Sequence, residues 1–144
     1  MNLYTIGSSG KSAQIFFGCL KESGIERVID VRLRLSGQLA GFAKKNDLKF
    51  FLKEIIDCDY VYLPNLAPTD EILTLYRKTK DWGKFVSEFT LLMAERNIPR
   101  VLDKALFEDA CLLCSEEKPR YCHRSLIAEI LSANWADVTV HHLL

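Results

Sequence analysis

The chain has 144 residues, of which 49% are hydrophobic and 26% are charged, with 19 basic residues balancing 19 acidic ones. This length and apolar content predict a single domain, residues 1–144, that buries a substantial core. A formal net charge of zero argues against the broad positive surface of a nucleic-acid-binding protein, although it allows a local basic pocket.

The opening segment, the apolar runs and the cysteines predict a cytoplasmic protein. The opening segment MNLYTIG has neither a basic leader nor a long apolar stretch, so no signal peptide is expected. No apolar run approaches the length that crosses a bilayer, which predicts no membrane association. Five cysteines are an odd number, which fits poorly with a disulfide framework and suits a compartment where thiols stay reduced.

The first half of the chain alternates predicted strands with predicted helices. Strands are predicted over residues 2–6, 27–32 and 60–63. The spacing of apolar side chains predicts one helix capped by Ser12 and another that begins at Asn46 or Asp47. The expected buried stripes are Ile15, Phe16, Cys19 and Leu20 in the first helix, and Leu48, Phe51, Leu52, Ile55 and Ile56 in the second.

The second half continues the alternation. Thr69 is a predicted N-cap for a short helix through Tyr76, because Asp70 supplies a carboxylate to its first turn. A longer helix is predicted from Trp82 to Arg96. The remaining elements are a buried strand over 110–114, a helix from Tyr121 or Cys122, and a last strand over 138–143. Strands that alternate with helices predict an α/β domain with a largely parallel sheet of about five strands.

Polar and small residues follow the predicted strands at their carboxyl ends. In parallel sheets ligands bind beyond these ends, near the point where the strand order reverses. The residues concerned are Gly7, Ser8 and Ser9 after the first strand, Asp30 and Arg32 on the second, Asn65 after the third, and Cys114 to Arg124 after the fourth. The sequence therefore predicts that they contribute to one site.

The stretch CLLCSEEKPRYCHRSLIAEIL, from Cys111 to Leu131, is the richest in reactive side chains. The first turn of its helix carries unpaired N–H groups and a partial positive charge, which favour an anion. Arg124 would add a fork of donors suited to phosphate or carboxylate. The sequence therefore favours a pocket for a small anion or a nucleotide at this position.

The same stretch suits thiol chemistry. Cys122 at the helix start is expected to have a lowered pKa and to react as a nucleophile, with Cys114 as the other candidate. His123 or Glu116 would serve as the base. The structural alternatives are that Cys111 is a small buried hydrophobe and that His123 only caps the helix. Whether the chain is an enzyme stays open at this point.

Asp30 and Arg32 are two residues apart on a predicted strand, so their side chains share one face of the sheet. They are expected to form a buried pair, which either shapes a ligand pocket or is purely structural. The loop over residues 33–45 contains Gly37, Gly41 and Phe42 among basic residues. It is a candidate lid or binding loop.

Several motifs of the chain resemble one family. TIG after the first strand, DVR on the second, and LLCSE followed by CHR are similar to the family called domain of unknown function 488, a group of uncharacterised bacterial and archaeal proteins. The resemblance extends from Thr5 to His142, and GQLAGF, LAPT and the isolated Trp82 are similar to one branch. It implies a Rossmann-like α/β fold, which is a three-layer sandwich. The site residues it implies are Thr5, Gly7, Asp30, Arg32, Cys114, Glu116, Cys122, His123 and Arg124.

Two other functions compete with the anion or thiol site, for which no cofactor is expected. Zinc is the first, because Cys111, Cys114, Cys122 and His123 are zinc ligands by type. Their spacing argues against it, since residues three apart on a strand leave opposite faces. A non-catalytic module that binds nucleic acid or a protein is the second, and the lysines of residues 44–53 are its only support.

Overall fold

The computed structural model describes residues 1–35 and 41–144, and within them five strands form one parallel sheet. The strands are β1 (Asn2–Gly7), β2 (Arg27–Asp30), β3 (Asp59–Tyr62), β4 (Ala110–Cys114) and β5 (Thr139–His142). Their order is β3-β2-β4-β1-β5, and each neighbouring pair is parallel. The predicted Rossmann-like three-layer α/β sandwich is thereby confirmed.

Five α-helices connect or flank these strands in the described part of the chain. They are α1 (Ala13–Glu22), α2 (Lys45–Ile56), α3 (Asp70–Thr79), α4 (Trp82–Glu95) and α5 (His123–Asn134). The predicted caps Ser12 and Thr69 are confirmed, since Ser12 Oγ accepts the Ile15 N–H and Thr69 Oγ1 accepts the Ile72 N–H. α2 begins at Lys45, before the predicted start at Asn46 or Asp47. None of the described helices is both long and apolar enough to cross a bilayer.

Each face of the sheet has its own core. On one face, α1 and α2 pack on alternate residues of the strands, and the buried side chains include Ile6, Phe16, Phe17, Val28, Leu52 and Leu113. On the other face, α4 and α5 pack on the intervening residues, and the buried side chains include Leu3, Ile29, Phe89, Leu112, Ile127 and Leu131. Because strand residues alternate between faces, the position of a polar residue along its strand decides on which face of the sheet its side chain lies.

Two details of the predicted helices were wrong. Ile15 and Ile55, expected in the buried stripes, are 54% and 53% exposed. Phe17 is buried instead of Ile15, because its ring packs against Phe42 and Phe51 of the following segment. The spacing of apolar residues within one helix cannot predict this contact with a later segment. The second predicted strand also ends early, at Asp30 instead of Arg32.

The strand order reverses between β1 and β4. The chain leaves β1 through α1 toward one face, whereas it leaves β4 through α5 toward the other. The two carboxyl ends lie side by side, with Gly7 paired to Cys114. A crevice at such a reversal is where open α/β sheets bind ligands, so this edge positions the candidate site.

Candidate functional site

The loops that follow β1 and β4 are joined by main-chain hydrogen bonds. The Ser8 N–H donates to the Cys114 carbonyl at 3.0 Å, and the Ser9 N–H donates to the Ser115 carbonyl at 3.1 Å. A Cβ at Gly7 would lie 1.5 Å from the Glu116 carbonyl oxygen, so only glycine allows this approach. Gly7 and Ser8, predicted as ligand-binding residues, therefore bring the two loops together.

Cys114 and Cys122 form a buried pair of thiols at this edge. Cys114 ends β4 and Cys122 is the N-cap of α5. Their sulfur atoms are 2.7 Å apart, and the two residues are only 1% and 2% exposed. Sulfurs in this position need only a small shift to reach the roughly 2.0 Å of a disulfide bond.

Arg124 is fully buried and extends beneath the loop that connects β4 to α5. Its Nη1 donates to Cys114 Sγ at 3.0 Å and to the Glu116 carbonyl at 2.8 Å. Its Nε donates to Thr5 Oγ1 at 3.3 Å, and its Nη2 approaches the Glu117 carbonyl at 3.5 Å. All three guanidinium nitrogens therefore contact protein acceptors, and one of these acceptors is a thiol.

The pKa values of the two thiols are shifted in opposite directions. Burial raises the pKa of Cys114, but hydrogen bonds from Cys122, Arg124 and the Glu116 main chain, together with the arginine charge, outweigh it and lower that pKa. The hydrogen bond to Cys114 and burial raise the pKa of Cys122 well above its usual value. Of the two thiols, Cys114 is therefore the one whose charged form the site favours, through Cys122 and Arg124.

The other buried thiols lack this support. Cys111 belongs to the core under α1 and α2, on the opposite face from Cys114, and burial raises its pKa well above the usual value. Burial likewise raises the pKa of Cys58 to about 11. Both remain protonated at neutral pH and behave as small hydrophobes.

His123 and Glu116, the predicted bases, do not direct their side chains at the two thiols. The His123 ring donates from Nε2 to the Val31 carbonyl at 2.7 Å and lies against Phe89. Burial lowers the pKa of His123 to about 4, so the ring is neutral at pH 7. The side chain of Glu116 is exposed, and its contacts with the site come from its main chain.

Thr5 connects the site to the last strand. Thr5 Oγ1 accepts the Arg124 Nε–H and lies 2.6 Å from His142 Nδ1. Burial, followed by the charge of Arg124, lowers the pKa of His142. The sequence did not place His142 in the site, because pairing between β1 and β5 is not visible in local pattern.

Asp30 and Arg32 form the predicted buried pair, on the face covered by α1 and α2. The Arg32 Nε and Nη2 donate to the two Asp30 carboxylate oxygens at 2.8 and 2.7 Å, and both residues are at most 2% exposed. Tyr60 donates its hydroxyl to Asp30 as well. Arg32 Nη1 has no hydrogen-bond partner among the described residues. This cluster is thus separated by the sheet from Cys114.

The four residues of the alternative zinc site do not come together around one point. Cys111 faces the opposite layer from Cys114, and His123 directs Nε2 to a main-chain carbonyl. Within residues 1–35 and 41–144, no group of three or more His, Cys, Asp or Glu side chains is arranged to hold a metal ion. Of the predicted binding loop, Gly37 lies outside the described residues, and Phe42 packs against Phe16.

Comparison with known proteins gives one match. A family model described as domain of unknown function DUF488 matches residues 12–131. The matched region includes β2, β4 and most of α5, together with both thiols and Arg124. Comparison with curated proteins and with solved structures gives no match.

Proposed function

The chain belongs to the DUF488 family, and from that premise we propose that it is a thiol-dependent protein whose nucleophile is the Cys114 thiolate. Cys122 serves as the second thiol of the pair. The family match covers both cysteines but carries no reaction with it, so the proposal depends on the contacts of the thiols themselves.

The observation that carries the proposal is the set of donors around Cys114 Sγ. Arg124 Nη1 lies 3.0 Å from this sulfur and Cys122 Sγ lies 2.7 Å from it. A buried cation and a neighbouring thiol donor both favour the charged form of a cysteine. These donors favour ionisation of Cys114, so in this proposal neither His123 nor Glu116 is needed as a base.

This arrangement also gives an interpretation of the anion-binding pattern in the sequence. Arg124 does bind an anion in our proposal, and that anion is the thiolate of Cys114. Because the guanidinium is buried and its nitrogens contact Thr5, Glu116 and Glu117 as well, it holds the reacting group in place.

The reaction best suited to two adjacent buried thiols is a two-electron oxidation by a small hydroperoxide. The Cys114 thiolate attacks one peroxide oxygen, an S–O bond forms to give a sulfenic acid, and the O–O bond breaks. The leaving alkoxide or hydroxide takes a proton from solvent and departs as an alcohol or water. The Cys122 thiol then attacks the Cys114 sulfur, and the hydroxyl group leaves as water with the thiol proton. The product is a Cys114–Cys122 disulfide, and an external dithiol returns it to the reduced pair.

The proposal is tested by adding hydrogen peroxide to the reduced protein and following intact mass and peptide maps. We expect loss of two hydrogen atoms and a single linked peptide pair that contains Cys114 and Cys122. Cys122→Ser should stop at a Cys114 sulfenic acid, because the second thiol is missing. Cys114→Ser should show neither product.

Cys58→Ser is the matched control, since Cys58 is also buried but has a raised pKa, and it should oxidise as the wild type does. The pH dependence of the rate should follow a Cys114 pKa below the ordinary value, and Arg124→Met should raise that pKa. If Cys114 reacts no faster than Cys58 in the folded wild-type protein, the thiol proposal is wrong.

A further inference from the structure

We propose that a groove beside the first turn of α5 binds a mononucleotide, independently of the thiol pair. The groove has a volume of about 410 Å³ and opens at the carboxyl edge of the sheet. The residues that carry the argument are Trp82, Arg120, Tyr121, Glu129 and His142, all of which line it. Its volume falls within the range of small-molecule sites.

Two aromatic rings form the wall of this groove. Trp82 is the first residue of α4, and its ring stacks on the buried Phe85 with centroids 4.9 Å apart and planes 11° apart. Tyr121 meets Trp82 edge to face at 5.5 Å. Because Phe85 fixes Trp82, the aromatic surface is in place before a ligand arrives, as base stacking requires.

Tyr121 is unusual among the aromatic residues. Its ring side chain is 47% exposed, and its φ angle is +59°. A bulky residue is seldom found in this left-handed conformation, which costs free energy unless the surroundings enforce it. In this conformation the ring contacts Trp82 and lines the groove.

Arg120 is the donor for an anionic group. Its guanidinium lies 4.7 Å from the centre of the Tyr121 ring, and Nη2 donates to the Tyr121 hydroxyl at 2.7 Å. Arg120 forms no ion pair with the residues that the structure describes. A planar fork held on an aromatic ring, with donors to spare, suits a phosphate group.

His142 and Glu129 add two further polar groups to the groove. His142 Nδ1 is hydrogen-bonded to Thr5 Oγ1, so the other ring nitrogen, Nε2, is the one left for a ligand. Glu129 is an exposed carboxylate on α5, suited to accept from an exocyclic amine of a base. An aromatic ring with an amine, joined to a phosphate, presents the complementary groups, and a mononucleotide has all of them.

The test uses fluorescence titration of the full chain with AMP, adenosine and inorganic phosphate. The protein has two tryptophans, and Trp135 packs against Phe107 away from this groove. Trp135→Phe leaves Trp82 as the reporter, so saturable quenching by AMP is expected in this variant. Adenosine and phosphate should each bind more weakly than AMP, because each lacks one half of the recognised groups.

Arg120→Ala should weaken AMP binding by at least about 10-fold, since one charge-assisted contact is lost. Arg100→Ala is the matched control, because Arg100 lines a different cavity, and it should bind AMP as the wild type does. Equal AMP affinity for these two variants, or no saturable quenching in the folded Trp135→Phe protein, would overturn the proposal. Neither result bears on Cys114, whose oxidation is measured separately.

Discussion

Among single residues, Gly7 has the least room for a side chain. An added Cβ would lie 1.5 Å from the Glu116 carbonyl oxygen and 2.9 Å from Arg124 Nη1. Gly7→Ala must therefore push apart the two loops that hold the thiol pair. We expect it to lower the free energy of unfolding by at least about 2 kcal/mol and to raise the pKa of Cys114. Urea denaturation and the pH dependence of thiol oxidation measure the two effects.

Gly18→Ala provides the control, because Gly18 lies inside α1 and no heavy atom is within 4 Å of the added Cβ. Alanine in a helix loses less conformational entropy than glycine, so this change should raise stability by about 0.5–1 kcal/mol. A Gly7→Ala protein as stable as the wild type would mean that the two loops are not in contact in solution.

The sequence predicted the type of chemistry at this site better than it predicted which residue carries it. The sequence indicated a thiol of lowered pKa near Arg124, and it favoured Cys122 because that residue begins a helix. Our proposal assigns the role to Cys114, whose sulfur is hydrogen-bonded to both Cys122 and Arg124. The difference depends on how residues 115–121 fold over the guanidinium. Such contacts between side chains ten residues apart are tertiary, and periodicity does not encode them.

Among the elements, those with strong local signals were predicted best. The strand Ala110–Cys114 and the start of α4 at Trp82 agree with the sequence, because a continuous apolar run and an Asp cap define them. The end of α3 was missed by three residues, since the helix continues to Thr79 and stops only at Lys80, which adopts a left-handed conformation. Nothing in the local pattern marks a lysine for that role.

The N-cap of α3 gives a prediction about a whole helix. Thr69 Oγ1 accepts the Ile72 N–H at 3.2 Å, and α3 has no fully buried residue. The helix thus depends on its cap more than a buried helix does. Thr69→Ala should cost about 1 kcal/mol, and hydrogen exchange should show faster opening of α3 amides than of α4 amides.

Ser87→Ala is the comparison for that change. Ser87 is exposed inside α4 and donates its hydroxyl to the Gly83 carbonyl one turn earlier. Replacing Ser87 by alanine, which is a better helix former, should change the free energy of unfolding by no more than about 0.5 kcal/mol. Equal exchange rates in α3 for Thr69→Ala and wild type would show that the cap is dispensable.

For the whole molecule, the sheet decides which polar residues meet. From the sequence, all residues at the carboxyl ends of the strands were predicted to form one site. The pattern indicates at which edge of the sheet a residue lies, but not on which face. Asp30 shares a face with Val28, whereas Thr5 shares a face with Leu3. The Asp30–Arg32 ion pair and the thiol pair therefore occupy opposite layers.

The position of His123 predicts how the stability of the molecule depends on pH. Burial, aided by the charge of Arg124, lowers its pKa from 6.5 to about 4 in the folded state. Between these values the unfolded chain binds a proton that the folded chain does not, so protonation favours unfolding. The stabilising contribution is complete above pH 6.5 and is lost as the pH falls toward 4. We expect a loss of about 1–3 kcal/mol from this residue.

The measurement is the difference in unfolding free energy between wild type and His123→Gln, determined by urea denaturation from pH 7 to pH 4. Glutamine keeps an N–H donor for the Val31 carbonyl but has no proton to gain, so carboxylates shared by the two proteins cancel in the difference. The wild-type curve should fall more steeply, and the gap should close below pH 6.5. His142→Gln should show the same sign with a smaller change, because His142 is exposed and its pKa is lowered as well. Parallel curves for wild type and His123→Gln would mean that the imidazole is solvated in the folded protein, and that β2 and α5 are not held together by a neutral histidine.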